Sequence, residues 1–365
     1  MTGPGTDREV TPRDDNWAYP DPIAGWSDDI KAAQLEAGKV LPEFIAAEIA
    51  AGSRHIDVPR GDYRFGAVHG DGRPYHVKLQ DVHDVTIDFH GSTFWMTNQQ
   101  TAVSLIGCTG VTMKNLFVDW DPLPFTQGTV VAVDTKKKTI DVKLHPGFDR
   151  VTYVFRKGLA PRSKIRGAVY TPETGLLKPG NASFQVNPFW DKPVSPGVYR
   201  VHPRTWYNYP LDKMSVAPGD HMVLWKRGGS GFRIHQCSRI TLEDVTMYCS
   251  SGFAVAEGRG QGGNTYRRVS IVPRPSTRRL IGGTADGIHS MAQERGPRLI
   301  ECKIHGLGDD FFNVHGFYRN VWGREAPNVL LAQAYAERDR MPQQQEVKLY
   351  RFSDKAFLGS RRTVS

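Results

Sequence analysis

The sequence predicts an all-β chain: a right-handed parallel β-helix with an N-terminal capping helix and an inserted antiparallel β domain, a barrel or sandwich. Three observations predict it. Short alternating segments recur: Asp81-Val82-His83-Asp84-Val85-Thr86-Ile87 is echoed by Ile106-Gly107-Cys108-Thr109-Gly110-Val111-Thr112-Met113, and again by His235-Gln236-Cys237-Ser238-Arg239-Ile240-Thr241-Leu242. Val85 and Val111 stand 26 residues apart, as do Ile240 and Tyr266. That is about one coil of a β-helix, whose successive turns stack roughly 4.8 Å apart. Glycine (37) and proline (24) are frequent among the 365 residues, as a turn-rich β protein requires.

The elements follow in order. Residues 1–27 read as an irregular leader. Residues 28–121 hold the cap and the first coils. Asp28 and Asp29 are suited to cap a helix whose apolar face is Leu41, Phe44, Ile45 and Ile49, with Pro42 near its start and Gly52 just past its end. Such a helix covers the open end of a coil, otherwise an unpaired apolar edge. The alternating strand His55-Ile56-Asp57-Val58 and the turn Arg60-Gly61-Asp62 follow. Residues 122–227 interrupt the repeat. Gly128–Val133 and Thr139–Leu144 alternate around an Asp134–Lys138 tip and read as a hairpin. Gly197–Val201 and Met222–Trp225 read as further strands, and a segment this long needs structure of its own. Residues 228–365 return to the coils and include a Leu299–Ile304 segment. Cys108 and Cys237 hold one place in the repeat, which predicts stacked, buried, reduced thiols.

Composition narrows the function classes. The formal charge is +9, much of it arginine in turns, which fits a solvated surface and, more sharply, an anionic substrate. Four cysteines without CxxC or zinc spacing argue against a disulfide scaffold or a zinc site. Nothing calls for a cofactor, a metal, a nucleic-acid partner or a membrane. The polar start has no apolar signal core, which places the chain in the cytoplasm unless a signal has been removed.

The chemistry concentrates in Ala285-Asp286-Gly287-Ile288-His289 and Gly308-Asp309-Asp310-Phe311-Phe312-Asn313-Val314-His315-Gly316. Asp286 precedes Asp309 by 23 residues, near one coil, so Asp286, Asp309 and Asp310 are expected in one outward patch. If Phe312 and Val314 point inward, period two sends Phe311, Asn313, His315 and Asp309 outward. Asp310 has inward parity, and Gly308 is expected to supply the turn that swings both acids out. Close carboxylates drive each other's protonation apart, which an acid and a base acting on one glycosidic bond require. A solvated Asp-Gly turn and a calcium site built from hard oxygen ligands are the plainer alternatives. Trp190 and Trp206, in the aromatic-rich insert, are candidates to stack on a sugar ring. Arg279, at the end of the basic Arg274–Arg279 stretch, is a candidate contact for an anionic group.

The run Asp-Gly-Ile-His, then Gly-x-x-x-x-Asn-Val-His-Gly with its paired acids, resembles the β-helical α-1,3-galactosidases that act on blood-group-B-type glycans. More loosely it is similar to the polygalacturonases. The resemblance implies an inverting glycoside hydrolase with a carbohydrate substrate and an aspartate trio at Asp286, Asp309 and Asp310. It implies Asp309 as general acid, with Asp286 and Asp310 positioning and activating water. His289, Asn313 and His315 would bind substrate or tune the acids. The galactosidases continue with more coils, so this chain reads as a shortened relative or a piece. A calcium-dependent polysaccharide lyase and a non-catalytic carbohydrate-binding β-helix are the competing functions.

Overall fold

The computed structural model describes residues 22–67, 75–148, 165–180, 184–186, 193–204, 214–316, 321–327, 329–332, 346–351 and 356–362. Most of the expected leader, residues 1–21, lies outside them. The protein is mostly β, and two of its three large sheets, of nine and six strands, are parallel. The chain alternates between these two. One holds Thr86–Met96, Thr112–Trp120, Thr241–Met247 and Thr265–Arg267; the other holds Tyr75–Gln80, Thr101–Ile106, Phe232–His235, Val255–Gly258, Ile288–Met291 and Phe312–His315. Each pass adds one strand to each sheet, the stacking expected of a β-helix.

Register follows side-chain chemistry. Val77, Val103, Phe232, Val255 and Ile288 are paired successively across the second sheet, and all are buried. Like side chains stack on like, so every rung buries the apolar face of the one beneath. Phe312 continues this stack on Ile288, as its inward parity predicts, but it ends the sheet and remains 44% exposed. One spacing differs from expectation. Thr86 pairs with Thr112, so Val85 and Val111 do correspond, but Tyr266 pairs with Leu242 rather than lying over Ile240. Asn264 Oδ1 takes the Ile240 N–H at 2.9 Å, which tightens that turn to a 24-residue coil. Cys108 and Cys237 stack as free, buried thiols, with Cys108 N–H directed at Cys237 Sγ at 3.3 Å.

Glu257 is a buried carboxylate of the coils. It accepts from Tyr266 Oη at 2.5 Å, Asn264 Nδ2 at 2.7 Å and Ser290 Oγ at 2.6 Å, so its lone pairs are satisfied. Burial, and then the charge of Glu257, pushes the Tyr266 phenol well above its usual range.

The cap is a helix over Asp28–Ala50, longer than the sequence suggested. Ser27, not an aspartate, is the N-cap and accepts from Ile30 N–H; Asp28 and Asp29 lie in the first turn, where they complement the dipole. Pro42 lies inside the helix rather than near its start. Leu41 and Ile45 are buried in the main core, and Gly38 lies so close to the Arg64 carbonyl that any side chain there would run into it.

The insert is a seven-stranded antiparallel sheet in which His221–Lys226 lies between Phe125–Asp134 and Ile165–Tyr170. The predicted hairpin is present, with Asp134 paired to Thr139. Pairing runs from Val198–Val201 at one edge to Pro203–Arg204 at the other, and no pairing among the described residues closes it. His221–Lys226 is buried along its whole length because it serves two cores: Met222 and Leu224 enter a core private to the insert, while Val223 and Trp225 enter the core of the coils. Gln127 fastens the insert to the later coils, donating to Arg278 O and accepting from Leu280 N, both at 3.0 Å.

Residues 316–365 form a separate unit. It contains two antiparallel hairpins, Val321–Ala326 with Val329–Ala332 and Glu346–Tyr350 with Phe357–Arg362. Among the described residues no helix is long and apolar enough to cross a membrane.

Candidate active site

The three acids converge: Asp286, Asp309 and Asp310 each offer a carboxylate oxygen, and these lie within 4.8 Å of one another. The local register brings them together. Gly283 bridges Leu307 and Ile288 pairs with Phe312, an offset of 24 residues. Asp286 therefore stacks on Asp310, and Asp309 falls one position short; the 23-residue interval noted in the sequence misses the true rung by one. The Gly287 N–H bonds Asp310 O at 2.9 Å, which fixes that register.

The flanking glycines are required by close approach. Gly287 and Gly308 both lie at bends, as expected of Gly308, and neither adopts a left-handed backbone. A Cβ at Gly308 would lie 2.9 Å from the Thr284 carbonyl oxygen and 3.0 Å from the Trp225 indole. At Gly287 it would lie 2.6 Å from the Phe311 carbonyl oxygen and 2.8 Å from Ile304. Both distances are shorter than a real side chain allows, so glycine lets consecutive rungs and the inserted sheet close around the acids.

The acids differ in their surroundings. Asp286 is 3% exposed, and its Oδ2 lies 2.7 Å from His289 Nδ1. The His289 ring stacks on Phe253 at 4.3 Å between centroids, and its Nε2 meets His315 Nε2 at 3.1 Å. Asp310 accepts from Asn313 Nδ2 at 2.8 Å. Asp309 is half-exposed and carries two guanidiniums: Arg227 bonds Oδ2, and Arg166 NH1 lies 3.6 Å from the same oxygen. Burial first, then the like charge of Arg227, pushes Arg166 below its usual range, while Asp309 and Asp286 pull it back up.

Both arginines come from the inserted sheet. Arg166 pairs with Trp225 across adjacent strands and shares its coil-facing side; Arg227 follows two residues after Trp225. Sequence reasoning missed them because Arg227 is 82 residues from Asp309. The signal that was available is the alternation Val223, Trp225, Arg227, an apolar face running into a charge.

No known family's sequence profile matches the chain. It is 28% identical over 304 residues to α-1,3-galactosidase B of Bacteroides thetaiotaomicron, across 75% of this chain and 48% of that protein. It is 25% identical over 274 residues to α-1,3-galactosidase A of Shewanella woodyi, across 71% and 43%. It is 25% identical over 334 residues to α-1,3-galactosidase A of Streptomyces avermitilis, across 86% and 53%. The chain is related to the α-1,3-galactosidases. It spans about half the length of the curated relatives it matches.

The remaining candidate residues fare differently. His289, Asn313 and His315 all adjoin the acids. Arg279 does not. It is 4% exposed and donates from NH1 to Asp119 Oδ1 at 2.7 Å, while Arg274 donates from Nε to Asp119 Oδ2 at 2.7 Å. Arg274 is also clamped between Tyr248 and Trp95, 4.3 and 4.9 Å from their ring centroids. Asp119 thus holds both arginines, Arg279 buried and Arg274 partly buried. Trp190 and Trp206 lie outside the described residues.

A second acid cluster, Asp57, Asp88 and His90, also brings its ligand atoms within 4.8 Å, on the outer face of the first coils. Lys114 Nζ lies 3.1 Å from Asp88 there, as Arg227 lies against Asp309.

Proposed function

We propose that the chain is a glycoside hydrolase acting on an α-galactoside, with Asp286, Asp309 and Asp310 as its catalytic carboxylates. One observation carries the reading: three acids on consecutive rungs meet within 4.8 Å, opposite two arginines of another domain. The relatives named α-1,3-galactosidase support the same chemistry. The fold that goes with it is a right-handed parallel β-helix, its coils within 28–121 and, from 228, as far as His315, divided by the insert at 122–227.

The proposed mechanism is a single displacement with inversion, one acid protonating the leaving oxygen and another deprotonating water. By analogy Asp309 is the donor; Arg227 and Arg166 both lie against its Oδ2. The finer substrate reading, a sugar with an anionic group, draws support from Arg227 and Arg166 rather than from Arg279. The test is hydrolysis of aryl α-galactosides, with Asp309→Asn as control and proton NMR of the first anomer released. No hydrolysis by the folded wild type would reject the proposal; a retained first anomer would reject inversion alone.

A further inference from the structure

Asp286 is buried, yet a catalytic carboxylate must exchange a proton with solvent in every turnover. Its Oδ2 lies 2.7 Å from His289 Nδ1, and the far nitrogen of that ring lies 3.1 Å from Nε2 of the exposed His315. We propose that His289 and His315 form a two-imidazole relay that carries the Asp286 proton to and from the surface. The proposal rests on Asp286 having the catalytic role given above.

The hydrogen bonds fix the arrangement. A neutral imidazole carries one N–H, and a carboxylate only accepts. His289 Nδ1–H therefore donates to Asp286, which leaves His289 Nε2 bare to accept from His315 Nε2–H. Both hydrogens point toward Asp286. When His315 takes a proton from water at Nδ1, its Nε2 proton passes to His289 Nε2, and the His289 Nδ1 proton passes to Asp286 Oδ2. One proton has entered at His315 and one has arrived at Asp286; both rings end neutral, each as its other tautomer. The reverse sequence discharges Asp286, so the relay serves an acid or a base.

The surroundings favour transfer. Phe253 stacks on His289 with an interplanar angle of 23°, holding both ring nitrogens in line. The charged groups facing the relay are few. Asp309 and Asp310 lie on the Asp286 side with Arg166 and Arg227; Asn313 is in register with His289; Arg233 stands two rungs away in the same column, beyond the small Ala256.

The test uses the full chain and His315→Gln, which keeps a donor but cannot pass a proton. Expected is a fall in kcat of about tenfold or more with KM unchanged, and recovery of kcat on adding imidazole buffer. A purely structural role would not give that recovery. In parallel, nitrogen-15 NMR of the wild-type imidazoles should find His289 as the Nδ1–H tautomer and His315 as the Nε2–H tautomer near neutral pH. This second readout needs no turnover, so it decides the relay even if the glycosidase reading fails. A His289 found as the Nε2–H tautomer overturns the relay, as does a His315→Gln enzyme with wild-type kcat and no response to imidazole.

Discussion

Two acid clusters sit on the outside of this fold, built by the same device. Asp57 and Asp88 are partners on adjacent rungs with His90 beside them; Asp286 and Asp310 are stacked one coil apart with His289 beside them. Stacking alone does not separate them. The first cluster faces outward with Lys114 and Asn115 from the next strand, and those contacts satisfy Asp88 locally. The second faces a sheet inserted far upstream, which delivers Arg166 and Arg227. A β-helix makes clusters of like side chains cheaply, because its register repeats. A site arises where another part of the chain closes over one of them.

The largest expected difference is in turnover. Asp286→Asn or Asp309→Asn should lower kcat on an α-galactoside by about 10²–10⁴-fold, the usual worth of a positioned acid or base. Asp57→Asn should leave it within about twofold. Steady-state rates, with circular dichroism to confirm folding, check this; equal losses at both clusters would end the distinction.

Next comes Asp119 with its two arginines. Asp119→Ala leaves Arg279 with an uncompensated buried charge and Arg274 with a partly buried one, which should cost about 3–5 kcal/mol in chemical denaturation. If stability is unchanged, Asp119 does not hold the Arg274–Arg279 stretch as described.

Arg227→Met should lower kcat/KM by about 10–100-fold, equivalent to a charge-assisted hydrogen bond of roughly 1.5–3 kcal/mol, with little change in Tm. Wild-type kinetics would show that the insert does not act at the acids.

The smallest effect tests the first cluster as structure. Burial alone would raise Asp88, but hydrogen bonds from Asn115, the His90 N–H and Lys114, with the Lys114 charge, outweigh it and hold the carboxyl at about 2. Its folded value lies below the ordinary one, so the stabilisation is present above about pH 4 and fades as pH falls toward 2. Wild type should exceed Asp88→Asn by about 1–2 kcal/mol at pH 6, with the gap closing on acidification. A gap that does not vary with pH would remove the charge from the explanation.

Much of this was legible in the chain. The recurring Val-Thr-Ile segments revealed the coils, and the Asp-Gly and Gly-Asp-Asp runs located the acids. Errors arose where a neighbour overrides local sequence. The 24-residue rung depends on turn hydrogen bonds, so counting from Asp286 to Asp309 put the stack one residue off. Gly308 does lie at a bend, but what requires glycine there, the Thr284 carbonyl and the Trp225 ring, comes from distant segments. Arg279 looked like an anion contact because its stretch is basic, but Asp119, 160 residues away, holds it inside.

The sequence by itself determined the repeat, the strand parity and the chemical identity of the acid-bearing coils, because these depend on residues within one or two turns. Only the tertiary structure decided which acid stacks on which, that Arg166 and Arg227 face them, and that the obvious basic stretch does not. The first depends on the register between rungs, the second on where the insert lies against the coils, and the third on Asp119 of a distant strand. Packing between segments many residues apart sets each of these, and no local pattern encodes them.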